Sequence, residues 1–200
     1  MSAQTMQIGS RPCRIYGEAH AEYLLLQMTG EHELQSMESE VAAIAQSAHH
    51  FLFAAIPVEN WNDALSPWEA PAVWGKQGFG GNAGDTLRFL TEQVIPTLEQ
   101  RYPLPKNIKI ILGGYSLAGL FALWASTQTD LFYGIAAASP SVWFPGWKGL
   151  GFSNKHFATQ NGLCIYEDPA CYGYERLLNC KMIFQLLYWA YQNFFGRTPQ

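Results

Sequence analysis

The residue best placed to do chemistry in this sequence is one serine. Ser116 stands in "ILGGYSLAGLFALW", between a run of branched apolar residues and a second apolar run with helical spacing. The letters depart by one position from G-x-S-x-G: Gly114 and Ser116 fit, Ala118 replaces the second glycine, and Gly119 follows. Small residues are needed there because a strand-to-helix turn of this kind is tight and its two elements pack closely. Alanine meets that need. A serine exposed on such a turn attacks acyl carbons once a base takes its proton. The Leu117 backbone N–H, at the helix start, would then face a developing oxyanion with the helix dipole behind it. A second donor is expected from the loop after an earlier strand, and "MTGEHEL" puts a backbone N–H near Glu31 or His32 in that place. The plainer role for Ser116 is a helix N-cap.

Other polar residues carry weaker signals. The His32 side chain reads as a solvent-exposed loop group, His20 lies in a polar turn, and His49 and His50 sit at a helix end, where histidine suits the last carbonyls. Trp61, Trp68, Trp74 and Phe79, with Lys76, either wall a pocket that grips an aromatic or acyl group or pack a long loop onto the core. "GFGGNAG" is not a dinucleotide fingerprint, because the third glycine position falls on Ala83 and no strand precedes it. Cys13, Cys164, Cys171 and Cys180 lack metal-site spacing and read as free thiols.

The elements that must position these groups follow from periodicity. "AEYLLLQM" (21–28), "FLFAAIPV" (51–58), "NIKIILGG" (107–114) and the start of "YGIAAASPSVW" (133–143) read as buried strands. Leu34, Met37, Val41, Ile44 and Ala45 recur at helical steps after the first strand. A helix is expected over 86–102, capped by Asp85 and kinked or broken at Pro96, and another over 117–127. Strand and helix alternate, which predicts an α/β layer architecture with a mostly parallel sheet. The irregular stretch 59–84 is long enough to require a purpose, such as a lid or pocket wall.

Composition sets outer limits. With 200 residues, 48% hydrophobic, the chain has the size of a single domain, 1–200. A net charge of -4 leaves no basic footprint for nucleic acid. No signal-peptide pattern opens the sequence, and no apolar run reaches membrane-spanning length, so a cytoplasmic location without a membrane partner is the expectation. Oligomeric state is not legible.

Four stretches carry a family resemblance: "YLLLQMTGEHEL", "PVENWNDALSPWEAPAVWGKQGFGGNAGDTLRFL", "ILGGYSLAGLFALW" and "AAASPSVWFPGW". Over roughly residues 14 to 150 they resemble the α/β-hydrolase esterases related to esterase D and to the siderophore trilactone esterases. The resemblance implies a three-layer α/β-hydrolase sandwich and hydrolysis of small-molecule carboxylic esters through Ser116, with neither metal nor dissociable cofactor. It also implies an acid on a Gly-Asp turn and a later histidine. This chain departs there. "LCIYED" looks like a strand ending in carboxylates, with Asp168 near the acid's place, but the only histidine after Ser116 is His156, which precedes Asp168. That reverses the order Ser, acid, His of this fold. Two accounts of residues 151–200 stand: a reading frame shifted or cut after about residue 150, or a divergent C-terminal helix. The expectation is an esterase by lineage whose activity is weak or lost, the alternative being an inactive ligand-binding relative.

Overall fold

The computed structural model describes residues 3–17, 20–46, 48–147 and 162–166. In chain order its strands are β1 (Gln4–Ile8), β2 (Arg11–Gly17), β3 (Tyr23–Thr29), β4 (Phe51–Pro57), β5 (Glu69–Ala70), β6 (Phe79–Gly80), β7 (Lys109–Tyr115), β8 (Gly134–Ala138) and β9 (Gly162–Tyr166). The α-helices are α1 (Met37–Ala45), α2 (Trp61–Leu65), α3 (Ala83–Phe89), α4 (Ile95–Arg101) and α5 (Leu117–Ala125).

Seven strands form one sheet in the order β1-β2-β4-β3-β7-β8-β9. From β4 to β9 every neighbouring pair is parallel, while β1 and β2 add an antiparallel edge. Parallel strands covered on both faces read as unbroken apolar runs rather than alternating ones, and all seven residues of β4 are buried. Alternate side chains still separate into two cores. Leu24, Leu26, Leu52, Ile56 and Leu112 pack with Leu90, Leu98, Leu120 and Phe121 on one face. Leu25, Phe53, Ala55 and Ile111 meet Met37, Val41 and Ile44 of α1 on the other. Helices therefore flank both faces, and the three-layer, mostly parallel sandwich expected from the sequence is what the chain forms.

Locally, one element was missed, two expectations need correction and one holds. The β1–β2 hairpin, turning at Gly9–Ser10 with Gly9 at φ +56, was not legible, because Gln4, Thr5, Gln7 and Arg14 interrupt its apolar pattern. The helix after β3 is split: a 3₁₀ turn at Glu31–Gln35 precedes α1, closed where Ser36 Oγ donates to the Glu33 carbonyl at 2.9 Å. Asp85 is not a cap. Helix α3 begins at Ala83, whose N–H bonds the Ser66 carbonyl, so the loop before it draws the start forward and leaves Asp85 in the first turn, paired with Arg88. Pro96 does break the long helix, into α3, a π turn at Leu90–Val94 and α4. Proline offers no N–H and its ring crowds the turn before it, which a widened turn accommodates.

Candidate active site

Ser116 joins the carboxyl end of β7 to the first residue of α5 with φ 56 and ψ −117. A non-glycine residue with positive φ costs on the order of 1–3 kcal/mol and persists only where its surroundings over-determine it. Here they do. The Ser116 N–H donates to the Ala138 carbonyl, and the Ser116 carbonyl accepts from the Leu120 and Ser141 N–H groups, each at 3.0 Å. Two glycines leave room for the turn. A Cβ on Gly114 would lie 2.5 Å from the Ala118 Cβ, and one on Gly119 would lie 3.1 Å from the Gly114 carbonyl oxygen and 3.2 Å from Pro140 Cα. Gly114 therefore makes the space that Ala118 fills, and Gly119 provides the close approach of α5 to the chain after β8. As first residue of α5, Leu117 has no earlier turn of its own helix to bond, so its N–H is one of the helix's orphan donors.

A residue that the sequence did not single out lies beside the serine. Ser141 Oγ is 3.1 Å from Ser116 Oγ, and Ser141 is 1% exposed. It follows Ser139, at φ 41, and Pro140, which turn the chain back over the elbow after β8. The available signal was "SPS" just past a strand; recognising it required knowing that β8 lies next to β7.

His32 lies in the 3₁₀ turn that follows β3. β3 neighbours β7 in parallel with Gln27 opposite Gly113, so this turn leaves the sheet at the same edge as Ser116. Its first amide is occupied: the Gly30 N–H donates to Glu33 Oε2 at 2.8 Å. Beneath it, Glu40 is buried and receives Gln27 Nε2 at 3.2 Å. Burial pushes the Glu40 carboxyl up to about 7, the Gln27 bond opposing and nearby Glu33 adding to the rise. His20, His49 and His50 precede β3 and β4, at the opposite edge of the sheet. The His50 carbonyl accepts the Glu22 N–H at 2.6 Å, in keeping with a structural part. His156 and Asp168 lie outside the described residues. β9 does run as a parallel strand beside β8, ending at Tyr166.

The aromatic residues of 59–82 divide into two groups. Trp61 and Trp68 pack on the larger core. Trp68 donates from Nε1 to the Pro145 carbonyl at 2.8 Å and meets Phe144 edge to face, and Phe79 does the same to Phe144 at 5.0 Å. This pins the loop to the segment after Ser141. Trp74, 68% exposed, stands edge-on to Trp143, 42% exposed, at 4.4 Å, and Lys76 is exposed. The inner rings hold the loop down, and the outer rings face solvent. Among the described residues no His, Cys, Asp or Glu cluster could hold a metal ion, and no helix is long and apolar enough to cross a membrane. Cys13 is a buried free thiol, pushed up to about 11 by burial, while Cys171 and Cys180 lie outside the described residues.

Residues 27–169 match the family model Esterase, described as "Putative esterase". The chain belongs to this esterase family. The match starts within β3, so it leaves out the β1–β2 hairpin, and it reaches past β9 to include His156 and Asp168 rather than stopping near residue 150. Solved structures of similar fold include an IroE-like serine hydrolase from Shewanella oneidensis, 20% identical over 82% of this chain and 60% of that one, TM-score 0.69. Siderophore hydrolases EstA and EstB from Aspergillus nidulans also match. EstA is 20% identical over 98% of this chain and 78% of its own, TM-score 0.60. EstB is 18% identical over 82% and 68%, TM-score 0.58. At such identities the likeness establishes the α/β-hydrolase fold. This chain spans 60% of the Shewanella protein's length. No curated protein matches it.

Proposed function

We propose that this chain is a serine-dependent carboxylic ester hydrolase with Ser116 as nucleophile. The observation that carries the reading is the strained Ser116 backbone at the junction of β7 and α5, with φ 56 and ψ −117. A plain N-cap has no need of that conformation, whereas a nucleophile turn lifts its hydroxyl clear of both elements. In the reaction Ser116 Oγ forms a bond to the ester carbon while its proton passes to a base. The alkoxy group leaves as the alcohol, and water then cleaves the acyl-serine to release the acid. Leu117 N–H and a backbone N–H at or near His32 are the proposed oxyanion donors. His156 is the candidate base and Asp168 the candidate acid. Trp61, Trp68, Trp74 and Lys76 form the proposed substrate wall, with small-molecule esters as the substrate class.

The proposed activity is weak, because neither the Gly-Asp turn nor the late histidine of the family pattern is recognisable in this chain. Where the base is missing, about 10³ to 10⁴ of rate over water survives from binding and the oxyanion hole. A second reading, a ligand-binding relative without turnover, draws on one observation in the sequence: no histidine follows Asp168, where the family order places the base. A fluorophosphonate probe separates the two. Labelling of the intact chain that disappears in Ser116→Ala supports the hydrolase, and no labelling of the intact chain overturns it in favour of the binding protein. Hydrolysis of p-nitrophenyl acetate at ordinary esterase rates would refute weak activity. Its loss in His156→Ala would assign the base.

A further inference from the structure

We propose that Ser141 is a positioning residue for Ser116, its hydroxyl donating to the nucleophile's Oγ and fixing the direction in which that oxygen attacks. The inference rests on the reading of Ser116 as nucleophile and adds a residue to it.

The geometry is specific. The two hydroxyl oxygens are 3.1 Å apart, and Ser141 is 1% exposed, so solvent does not compete for its proton. A serine hydroxyl donates one hydrogen bond and accepts two. While Ser116 gives its own proton to a base, its Oγ is left to accept, and Ser141 must be the donor between them. Ser141 itself is fixed at every polar backbone group: its N–H donates to the Ser116 carbonyl and its carbonyl accepts the Phe144 N–H, both at 3.0 Å. Pro140 restricts the approach to it, and the Val142 N–H closes on the Pro140 carbonyl at 2.7 Å. Such a donor needs no reorganisation at the moment of reaction.

The bond acts on the rate because it changes strength along the reaction. As the Oγ–C bond begins to form and the Ser116 proton departs, Oγ gains negative charge, and a hydrogen bond to a charged oxygen is the stronger kind. Once the acyl-serine exists, Oγ is an ester oxygen and a poor acceptor. The Ser141 proton stays on Ser141 throughout. The interaction is therefore greatest between ground state and intermediate, where it accelerates the step. A merely structural Ser141 would be served by its backbone bonds alone.

The test uses the full 200-residue chain, a fluorophosphonate probe and thermal unfolding. In the labelling step Oγ–P forms, P–F breaks, fluoride leaves and the Ser116 proton is released. Ser141→Ala is expected to slow labelling about three- to tenfold, the margin by which a hydrogen bond to a charged oxygen exceeds one to a neutral oxygen, with an unchanged Tm. Ser141→Thr, which keeps the hydroxyl, is expected to recover most of the rate. Labelling by Ser141→Ala at the parent rate overturns the proposal, as does slowing that merely tracks a fall in Tm in both variants. Labelling abolished by Ser116→Ala yet indifferent to Ser141 removes this inference alone. An intact chain that does not label removes the nucleophile reading and this one together.

Discussion

At the scale of single residues, the elbow depends on space as much as on the serine. Gly114 sits where a methyl group would meet Ala118 Cβ at 2.5 Å, and Ala118 is buried in the helix that covers β7. Neither atom can yield without moving β7 or α5. Gly114→Ala should therefore destabilise the chain by about 1–3 kcal/mol, the cost of overpacking a tight core. The expected result is a lower Tm together with loss of probe labelling. Gly84, in α3, whose added Cβ meets nothing within 4 Å, is the control position, where alanine should leave labelling unchanged and Tm the same or slightly higher.

Glu40 supplies a prediction of a different kind. Its carboxyl, buried against Gln27 and near Glu33, is raised from an ordinary carboxylate value to about 7. A raised acid binds its proton more tightly in the folded than in the unfolded chain. Between the ordinary value and about 7 the folded state holds more protons, so stability falls as pH rises through that window and levels off above it. The full effect is on the order of 3 kcal/mol. Glu40→Gln keeps a neutral hydrogen-bonding group and should flatten that slope, leaving the variant the more stable of the two at pH 8. Urea unfolding at pH 5 and pH 8 checks it, and parallel slopes for both proteins would rule the mechanism out.

At the scale of elements, the loop of residues 59–82 has to be held against the segment after β8. Trp68 is the main fastening, through its bond to Pro145 and its contacts with Phe144 and Trp147. Trp68→Ala should cost about 3–5 kcal/mol, as truncating a packed tryptophan does. Trp74 is 68% exposed, and Trp74→Ala should change stability by no more than about 0.5 kcal/mol. If the outer rings wall a substrate site, the same Trp74 variant raises KM for an aromatic ester while leaving kcat in place. Comparing Tm with KM for the two variants thus assigns each ring to fastening or to binding.

At the scale of the whole molecule, the family match begins at residue 27, yet the sheet begins at Gln4. The β1–β2 hairpin buries Ile8, Cys13, Ile15 and Tyr16, and β2 covers the edge of β4 through pairs from Arg14↔Ala55 to Gly17↔Leu52. An uncovered, apolar edge strand is a template for pairing with another chain. Removing residues 1–17 should therefore give insoluble or aggregated protein, measured by light scattering, although no catalytic candidate is lost. A soluble, cooperative truncated chain would show that the hairpin is dispensable.

Much of this was legible without coordinates, for definite reasons. Continuous apolar runs such as "FLFAAIP" identify strands buried on both faces, and strand, double glycine, serine and helix in succession identify the elbow. These are local signals, set by backbone preferences and hydrophobic periodicity over a few neighbouring residues. What local pattern could not supply is pairing. The β1–β2 hairpin has a broken apolar pattern and owes its place to β4. The start of α3 is set by Ser66, a residue in the loop before it. Ser141 meets Ser116 across 25 residues only because β8 lies beside β7. The sequence by itself determined the nucleophile candidate and the layers that carry it. Tertiary structure alone decided which groups surround that serine, because proximity between distant segments follows from sheet order and packing, and no single segment encodes either.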